Sequence, residues 1–145
     1  MQIQQDLDIH HYSIKGYSKG EILVLIPLLA ELSQETDADG NPARGLRQET
    51  LTSSIMLTST HLERNWPPQS IDELREEHVQ ALAELKPEVA IIGTGANLKW
   101  PERALLKPLI DAGIGYEIMD TAAACRTFNV LSYEGRNVAA ALMMI

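Results

Sequence analysis

The chain has 145 residues, the size of one domain, and its 12 Lys and Arg against 20 Asp and Glu give a formal net charge of −8. The 45 % hydrophobic content is typical of a globular protein with one core and excludes disorder as the main state; the acidity argues against a general nucleic-acid binder, because phosphate contacts need a basic surface. A single cysteine excludes an intrachain disulfide and any multi-cysteine metal site.

The N-terminal segment and the longest apolar run determine what we expect about location. Residues 1–11 are polar, carry Asp6 and Asp8 and lack Lys and Arg, whereas a secretory signal begins with positive charge and continues with an apolar run. The run Ile22–Ala30 is interrupted by Pro27 and is shorter than the roughly 20 residues of a spanning helix. We therefore expect a soluble protein without membrane insertion, in the cytoplasm, where a lone thiol stays reduced.

The first half is predicted to be rich in β structure. The dense β-branched and leucine run Glu21–Ile26 predicts a buried strand, which Pro27 should end. Segment 33–46 contains Asp-Ala-Asp-Gly-Asn-Pro, which predicts a loop. Three further elements are predicted with weaker signals, namely a strand at Ile9–Ile14, a turn at Gly16–Gly20 and a strand at Leu51–Thr60 centred on Ile55–Leu57.

The second half is predicted to alternate helices and strands. Ser70–Glu73 has the spacing of a capping box with Ser70 as N-cap, so we expect a helix there that Pro87 closes. The short continuous apolar run Val89–Ile92 predicts a strand, and Gly115–Met119 is predicted to be the next strand. Alternation of strand and helix is typical of an α/β layer, in which the crossover between these two strands is parallel and right-handed.

A helix is predicted between those two strands, and a last strand at the end of the chain. Pro101 suits a first helical position and Gly113 the residue just past a helix end. Pro108 lies inside this helix, where we expect a kink or a short first segment, because an interior proline costs about 3 kcal/mol. Val138–Ile145 is apolar at nearly every position, which predicts a strand in the middle of a covered sheet.

The ends of two predicted strands form the first candidate site. Ligands of open α/β sheets bind beyond the carboxyl ends of parallel strands, which here are Gly93–Gly95 and Asp120–Thr121. Asp120 or Thr121 should cap a helix running from Ala122 to about Tyr133, whose free N–H groups would favour an anion. The plainer alternative is that Gly93–Gly95 is only a tight turn after a strand.

Cys125 and Arg126 are the candidate chemical groups on that helix. The position of Cys125 early in the helix and the adjacent Arg126 would both lower the pKa of its thiol. The alternative is a buried structural cysteine, because Cys125 shares a helix face with Phe128. Arg126 has three alternatives: it pairs with Asp120, covers apolar surface with its stem, or holds a carboxylate or phosphate.

The remaining metal-ligand residues do not predict a metal site. Asp37, Asp39 and Asn41 have the spacing of the start of a calcium loop. The match then fails, because Pro42 stands where glycine is required and Gln48 where a bidentate glutamate is required. The four histidines are either adjacent, and so on opposite strand faces, or isolated: His10, His11, His61 and His78. Of these, we expect His78 to be a boundary residue of an apolar helix face.

Several segments resemble one known family. They are Met119–Leu131 (MDTAAACRTFNVL), Glu134–Leu142 (EGRNVAAAL), Gly93–Gly95, Gly113–Gly115, and Ser54–Thr58 followed by Trp66 and Pro67. They resemble the family of mitochondrial respiratory complex I assembly factor three and the adipogenesis-associated Mth-domain protein, whose many bacterial and archaeal members are catalogued as a domain of unknown function. The resemblance covers roughly Ile9–Leu142, and Met119–Leu142 is its most specific part.

This resemblance implies a fold and a set of positions, but no cofactor and no established enzymatic activity. It implies an α/β three-layer sandwich with a central mixed, mostly parallel sheet, helices on its faces and extra β structure from the N-terminal half. Residues 1–145 would form one domain, in which 27–45 is a loop insertion. The motif positions carried over are Gly93, Thr94, Gly95, Asp120, Thr121, Cys125, Arg126, Thr127 and Asn129.

Two functions are compatible with these observations. The first is a non-catalytic protein-interaction or assembly-factor-like module, in which the 27–45 insertion and the apolar run before it supply an interface to a protein partner or to a second copy of the chain. The second is an anion-binding protein or enzyme that uses the strand ends, with Arg126 and the helix N-terminus as anion ligands, Thr94 and Asp120 as orienting groups and thiol chemistry at Cys125. Fold analogy alone does not decide between them.

Overall fold

The computed structural model describes residues 9–29, 36, 38–41 and 45–145. Much of the predicted 27–45 insertion, with Asp37 and Pro42 of the calcium-like segment, lies outside the described residues. Its base is described: β-pairing joins Pro27 to Leu46, and the Leu28 N–H donates to the Gly45 carbonyl at 3.1 Å. The segment therefore connects two strands that pair at its base.

The N-terminal strands form an antiparallel sheet in the order β1-β2-β3, with β1 at Ser13–Ser18, β2 at Glu21–Pro27 and β3 at Leu46–Leu51. Strand β2 confirms the prediction from its apolar run. Its Ile22, Val24 and Ile26 are fully buried. These three side chains therefore belong to the core, and our expectation that this run supplies an interface is wrong for them.

The weaker strand predictions of the first half are wrong in their limits. Strand β1 begins at Ser13 and includes Gly16–Ser18, so the turn shrinks to Lys19–Gly20. Pairing with β2 extends this polar segment as a strand, which its own composition does not favour. Strand β3 was missed because its central residues are polar, and only Ile55–Leu57 of the predicted Leu51–Thr60 strand forms a strand of its own, β4.

The second sheet has five strands in the order β5-β4-β8-β6-β7. The further strands are β5 Leu62–Glu63, β6 Val89–Gly93, β7 Gly115–Met119 and β8 Val138–Leu142. Strand β6 pairs in parallel with β7 and β8, whereas β4 pairs antiparallel with β5 and β8, so the sheet is mixed. All five residues of β8 are buried, as predicted for a central strand.

The helices are α1 Glu76–Ala83, α2 Lys107–Asp111 and α3 Thr121–Tyr133. The predicted capping box is wrong: Ser70 makes no side-chain cap bond and precedes only a 3₁₀ turn at Ile71–Glu73. Helix α1 instead starts after Arg75, whose backbone N–H donates to Nδ1 of His78 at 3.0 Å. This bond satisfies the free N–H of Arg75 at the helix start. His78 therefore has the role that the predicted capping box gave to Glu73.

The proline-containing connection confirms a short first segment. A 3₁₀ turn at Arg103–Leu106 precedes α2, and Pro108 lies in the first turn of α2, where a missing N–H costs no helical bond. Pro101 does not start a helix, because the first turn begins at Arg103. In the described part of the chain, the longest helix is α3 and none has the length and apolarity needed to cross a membrane.

Two cores lie on opposite faces of the five-stranded sheet. Alternate residues of β6 divide between them: Ile91 packs with α3 and the N-terminal sheet, whereas Ala90 and Ile92 pack with α1 and α2. Strand β8 divides in the same way, with Ala140 and Ala139 as neighbours on opposite sides. This packing holds α3 between both sheets and so brings its residues next to β1.

Candidate functional site

The predicted strand ends do meet. Gly93 pairs with Met119 across β6 and β7, and the Thr94 N–H donates to the Met119 carbonyl at 2.9 Å. Gly95 and Thr121 then bond in both directions: the Thr121 N–H donates to the Gly95 carbonyl at 2.9 Å, and the Gly95 N–H donates to Thr121 Oγ1 at 2.8 Å. We call these residues the strand-end cluster, which consists of Gly93, Thr94, Gly95, Asp120 and Thr121.

The strand-end cluster is closed by its own hydrogen bonds. Thr121 is fully buried, and its hydroxyl donates to the Met143 carbonyl at 2.7 Å while accepting from Gly95. The Met143 N–H in turn donates to the Gly93 carbonyl at 3.0 Å. Among the described residues, no buried side-chain nitrogen or oxygen lacks a partner. The groups that we expected to face a ligand therefore join β6, β8 and α3 to one another.

Gly93 is required for packing at this point. A Cβ atom there would lie 3.0 Å from Ala124 Cβ, from Leu142 Cδ2 and from Thr121 Oγ1. Gly95 has a φ of +100°, a backbone conformation that side chains other than glycine rarely adopt. Both glycines thus have structural reasons, which fits the tight-turn alternative for Gly93–Gly95.

Asp120 is the N-cap of α3. Its Oδ1 accepts from the Ala123 N–H at 2.9 Å, and its extended backbone precedes the first helical residue, as predicted. The cap occupies one of the free N–H groups that we expected an anion to use. The role of Asp120 as an orienting group toward a ligand stays a prediction.

Thr94 organises an exposed loop that sequence reasoning missed. Its hydroxyl donates to the Asn97 carbonyl at 2.6 Å and accepts from the Lys99 N–H at 3.1 Å. Every residue of the 96–100 loop is exposed, and Leu98 and Trp100 keep 48 % and 69 % of their surface accessible. A Trp next to Pro101, outside any periodic apolar pattern, was the signal for this loop.

The side chain of Cys125 is buried. It is 1 % exposed, and burial raises the pKa of its thiol to about 12, although the Arg126 charge acts in the lowering direction. A thiol with this pKa is protonated at neutral pH and is a poor nucleophile. The structural alternative for Cys125 agrees with this environment.

Arg126 is exposed and reaches the N-terminal sheet. Its Nη1 donates to Tyr17 Oη at 2.6 Å, across 109 positions of sequence. In the parts of the chain that the structure describes, Arg126 forms no ion pair, so the alternative in which it pairs with Asp120 is not observed.

Asn129 binds the backbone of β1. Its Oδ1 accepts from the Ile14 N–H at 3.0 Å, and its Nδ2 donates to the Ile14 carbonyl at 2.7 Å. Together with Cys125 and Arg126 it lines an open cleft of about 170 Å³ against β1, which we call the Arg126 cleft. Thr127 is half-buried and lines neither this cleft nor the strand-end cluster.

Of the nine predicted residues, five form the strand-end cluster and three line the Arg126 cleft, whereas Thr127 belongs to neither.

No group of three or more His, Cys, Asp or Glu side chains in the described ranges is arranged to hold a metal ion. His78 is 14 % exposed in its side chain and packs edge-on against Trp66, with ring centroids 6.4 Å apart. This is the boundary position expected for it.

Comparison with known proteins identifies what the chain is similar to. Residues 43–143 match a family model described as protein of unknown function (DUF498/DUF598). Over 121 residues the chain is 30 % identical to the mouse NADH dehydrogenase (ubiquinone) 1 alpha subcomplex assembly factor 3, which covers 80 % of this chain and 64 % of that protein. The chain spans less than half the length of the bovine and rat proteins of the same name.

Two solved structures share the fold. A Bordetella parapertussis protein superposes with a TM-score of 0.71 at 28 % identity and covers 92 % of this chain and 95 % of its own. A Mth938-like domain from Bordetella pertussis has a TM-score of 0.69 at 23 % identity, covering 99 % of this chain and 92 % of its own. At that identity the second likeness concerns the fold alone.

Proposed function

Because the chain belongs to the DUF498/DUF598 family of proteins of unknown function, we propose that it is a non-catalytic protein-interaction module with an assembly-factor-like role. The mouse relative is named as an assembly factor of NADH dehydrogenase, and the resemblance between the two chains supports a role through protein contacts. We assign the module to the cytoplasm. Its two cores on opposite faces of the central sheet support the three-layer sandwich expected for this family.

The observation that carries this proposal is the 96–100 loop. Leu98 and Trp100 are 48 % and 69 % exposed, and the two hydrogen bonds of Thr94 hold the loop that carries them. Exposing a Trp costs hydrophobic free energy that burial in a complex would recover, at about 25 cal/mol per Å² of apolar surface. A loop already ordered in the free chain also loses little conformational entropy on binding.

We propose that a protein partner receives Trp100 in an apolar pocket. Trp is among the residue types that dominate binding energy at protein interfaces, and it does so from the centre of the contact. Its truncation at such a position costs about 2 kcal/mol or more, which is roughly 30-fold in Kd. Leu98 lies on the same loop and would extend the apolar contact.

The alternative is an anion-binding or catalytic role for the nine motif positions. The closed hydrogen bonds of the strand-end cluster and the burial of Cys125 favour the interaction module over this alternative. A ligand that stabilises the wild-type chain but not the Arg126→Ala variant in a thermal-shift screen would favour the alternative only if affinity capture also recovers no partner. A ligand present at 100 times its Kd raises the free energy of unfolding by about 2.7 kcal/mol.

Affinity capture with matched variants tests the module. The tagged wild-type chain, Trp100→Ala and Tyr133→Ala are used as baits in the native cell extract, with quantification by mass spectrometry. Tyr133 is 91 % exposed at the end of α3 and is the control for loss of a surface aromatic. We expect at least one protein that the wild type and Tyr133→Ala retain and Trp100→Ala loses.

A partner that all three baits retain equally would contradict a role for Trp100, and recovery of none would remove the main support for an interaction module. Sedimentation of the purified wild-type chain and of Trp100→Ala then shows whether the partner is a different protein or a second copy of this chain. Self-association that depends on Trp100 would assign the loop to a homo-oligomer.

A further inference from the structure

We propose that the Arg126 cleft is a binding site for a phosphate group, formed by Lys15, Tyr17 and Arg126 where β1 meets α3. The cleft is separate from the strand-end cluster and from the 96–100 loop. It is independent of the proposed interaction module, because the two use different residues and different ligands.

A β-bulge places Lys15 at this cleft. Strand β1 pairs Ile14 with Val24 and Gly16 with Leu23, so Lys15 is the extra residue without a partner on β2. Bulges bend a strand and re-aim a side chain, and they are frequent next to binding sites. Here the bulged residue is the exposed Lys15, and Ile14, Gly16 and Tyr17 beside it on β1 line the same cleft.

Asn129 holds this bulge from another element. Its side-chain amide bonds both the N–H and the carbonyl of Ile14, at 3.0 and 2.7 Å, as a neighbouring strand would. Because Asn129 and Arg126 lie on the same helix, one rigid element positions both the bulge and the guanidinium. The site is therefore preorganised in the free chain, which reduces the entropy that a ligand would have to overcome.

Tyr17 supplies a directed donor. Its Oη accepts the hydrogen of Arg126 Nη1 at 2.6 Å, so its own hydroxyl hydrogen is left to donate elsewhere. The remaining N–H groups of Arg126 and the ammonium of Lys15 add further donors around the same space. Charge-assisted donors of this kind bind oxyanions about twice as strongly as neutral ones.

The charge of the cleft favours an anion although the whole chain is acidic. The lining contains two cations and no carboxylate, and among the described residues neither Lys15 nor Arg126 takes part in an ion pair. Cys125, which also lines the cleft, stays neutral because burial raises the pKa of its thiol to about 12. Glu21 lines the adjacent hollow, where its carboxylate accepts from Ser18 at 3.0 Å.

Two cations and a hydroxyl donor fit a dianion with three oxygens better than a single carboxylate. The planar guanidinium matches two phosphate oxygens, and an ammonium and a phenol can reach the third. The volume of about 170 Å³ admits a phosphate group but leaves the rest of a larger ligand in the open mouth of the cleft. The shared chemistry is a phosphate group, either free or as the ester of a small molecule.

The test is a titration of the purified chain with inorganic phosphate at constant ionic strength, followed by backbone amide shifts in NMR spectra. We expect saturable shifts at Lys15, Gly16 and Tyr17. Arg126→Gln should weaken the binding about ten-fold or more, and Tyr17→Phe several-fold. Lys19→Gln removes an equal charge from the adjacent turn outside the cleft and should change the Kd less than about two-fold.

Two further titrations identify the ligand. Acetate should bind at least about ten-fold more weakly than phosphate, since it carries one charge. Glycerol 3-phosphate that binds more tightly than phosphate assigns the cleft to an ester, and weaker binding assigns it to free phosphate. Shifts that do not saturate, that persist in Arg126→Gln, or that acetate reproduces at equal concentration would overturn the proposal.

Failure here is distinguishable from failure of the interaction module. Arg126→Gln leaves the 96–100 loop intact and should capture the same partner as the wild type. Trp100→Ala leaves the cleft intact and should bind phosphate with an unchanged Kd.

Discussion

The strand-end cluster and the Arg126 cleft differ in the burial and bonding of their polar groups, although motif positions of one family occur in both. In the strand-end cluster, Thr121 and the glycine backbones bond to one another and bury their polar groups. In the Arg126 cleft, Arg126 and Lys15 remain exposed and make no ion pair with any described residue. A glycine-rich strand end is therefore a weaker indicator of a ligand than an exposed cation that forms no ion pair with the described residues.

The largest expected effect concerns the thiol of Cys125, which lines the Arg126 cleft. At pH 8 the pKa of about 12 keeps Cys125 almost entirely protonated, whereas an unfolded thiol with a pKa of about 8.5 is partly ionised. We expect the native chain to react with a thiolate-specific reagent on the order of a thousand-fold more slowly than the chain in urea. A native rate equal to that of the unfolded chain would show that Cys125 is accessible and ionised.

The same pKa shift predicts the sign of a pH effect on stability. Because the folded state holds the Cys125 proton more tightly than the unfolded state, ionisation of the unfolded chain favours unfolding. The contribution of Cys125 to the free energy of unfolding is present below about pH 8.5 and decreases as the pH rises toward 12. A Cys125→Ala variant should lack this part of the alkaline decrease in urea unfolding.

The next effect measures how much the closure of the strand-end cluster stabilises the fold. Thr121→Val keeps the shape but removes the hydroxyl that joins Gly95 to Met143, so two buried backbone groups lose their partner. We expect a loss of about 2 to 6 kcal/mol in urea unfolding, since each such group costs about 1 to 3 kcal/mol. Thr127→Val, the same change on the same helix at a half-buried position, should have a small effect. Equal losses for both variants would mean that the closure contributes little.

The smallest expected effect tests whether Gly93 serves packing. Gly93→Ala would bring a methyl group within 3.0 Å of Ala124, Leu142 and Thr121, and overpacking of this kind costs about 1 to 3 kcal/mol. Gly16→Ala is the control, because no atom lies within 4 Å of its added Cβ, and it should stay within about 0.5 kcal/mol of the wild type. A Gly93→Ala variant as stable as this control would reopen the strand end as a space for a ligand.

Much of the second half could be predicted, because its signals are local. Strand β6 is a short continuous apolar run, and Asp120 caps α3 from the position its residue type favours. The capping box failed at the same level of evidence. Ser70 and Glu73 have the right spacing, but the chain between them forms only a 3₁₀ turn, and His78 supplies the bond that starts α1.

The polar strands of the first half could not be predicted from their own residues. Strand β3 has the central sequence Arg-Gln-Glu-Thr, and β1 contains a bulge, so neither shows a clean apolar alternation. Their stability comes from pairing with β2, whose own apolar run was recognised. The candidate site had the same limit: the sequence named Arg126 and Asn129 but not the β1 residues they bind.

By itself, the sequence determined the α/β class, the family, the burial of β2 and β8, and the cap of α3, since each depends on composition or on neighbours within a few residues. Only the tertiary structure decided that the strand ends close on themselves and that a cleft opens beside Arg126. The contacts responsible, Thr121 with Met143 and Asn129 with Ile14, span 22 and 115 positions of sequence. Hydrogen bonds across such separations form only when packing brings the elements together, and they leave no pattern in either segment alone.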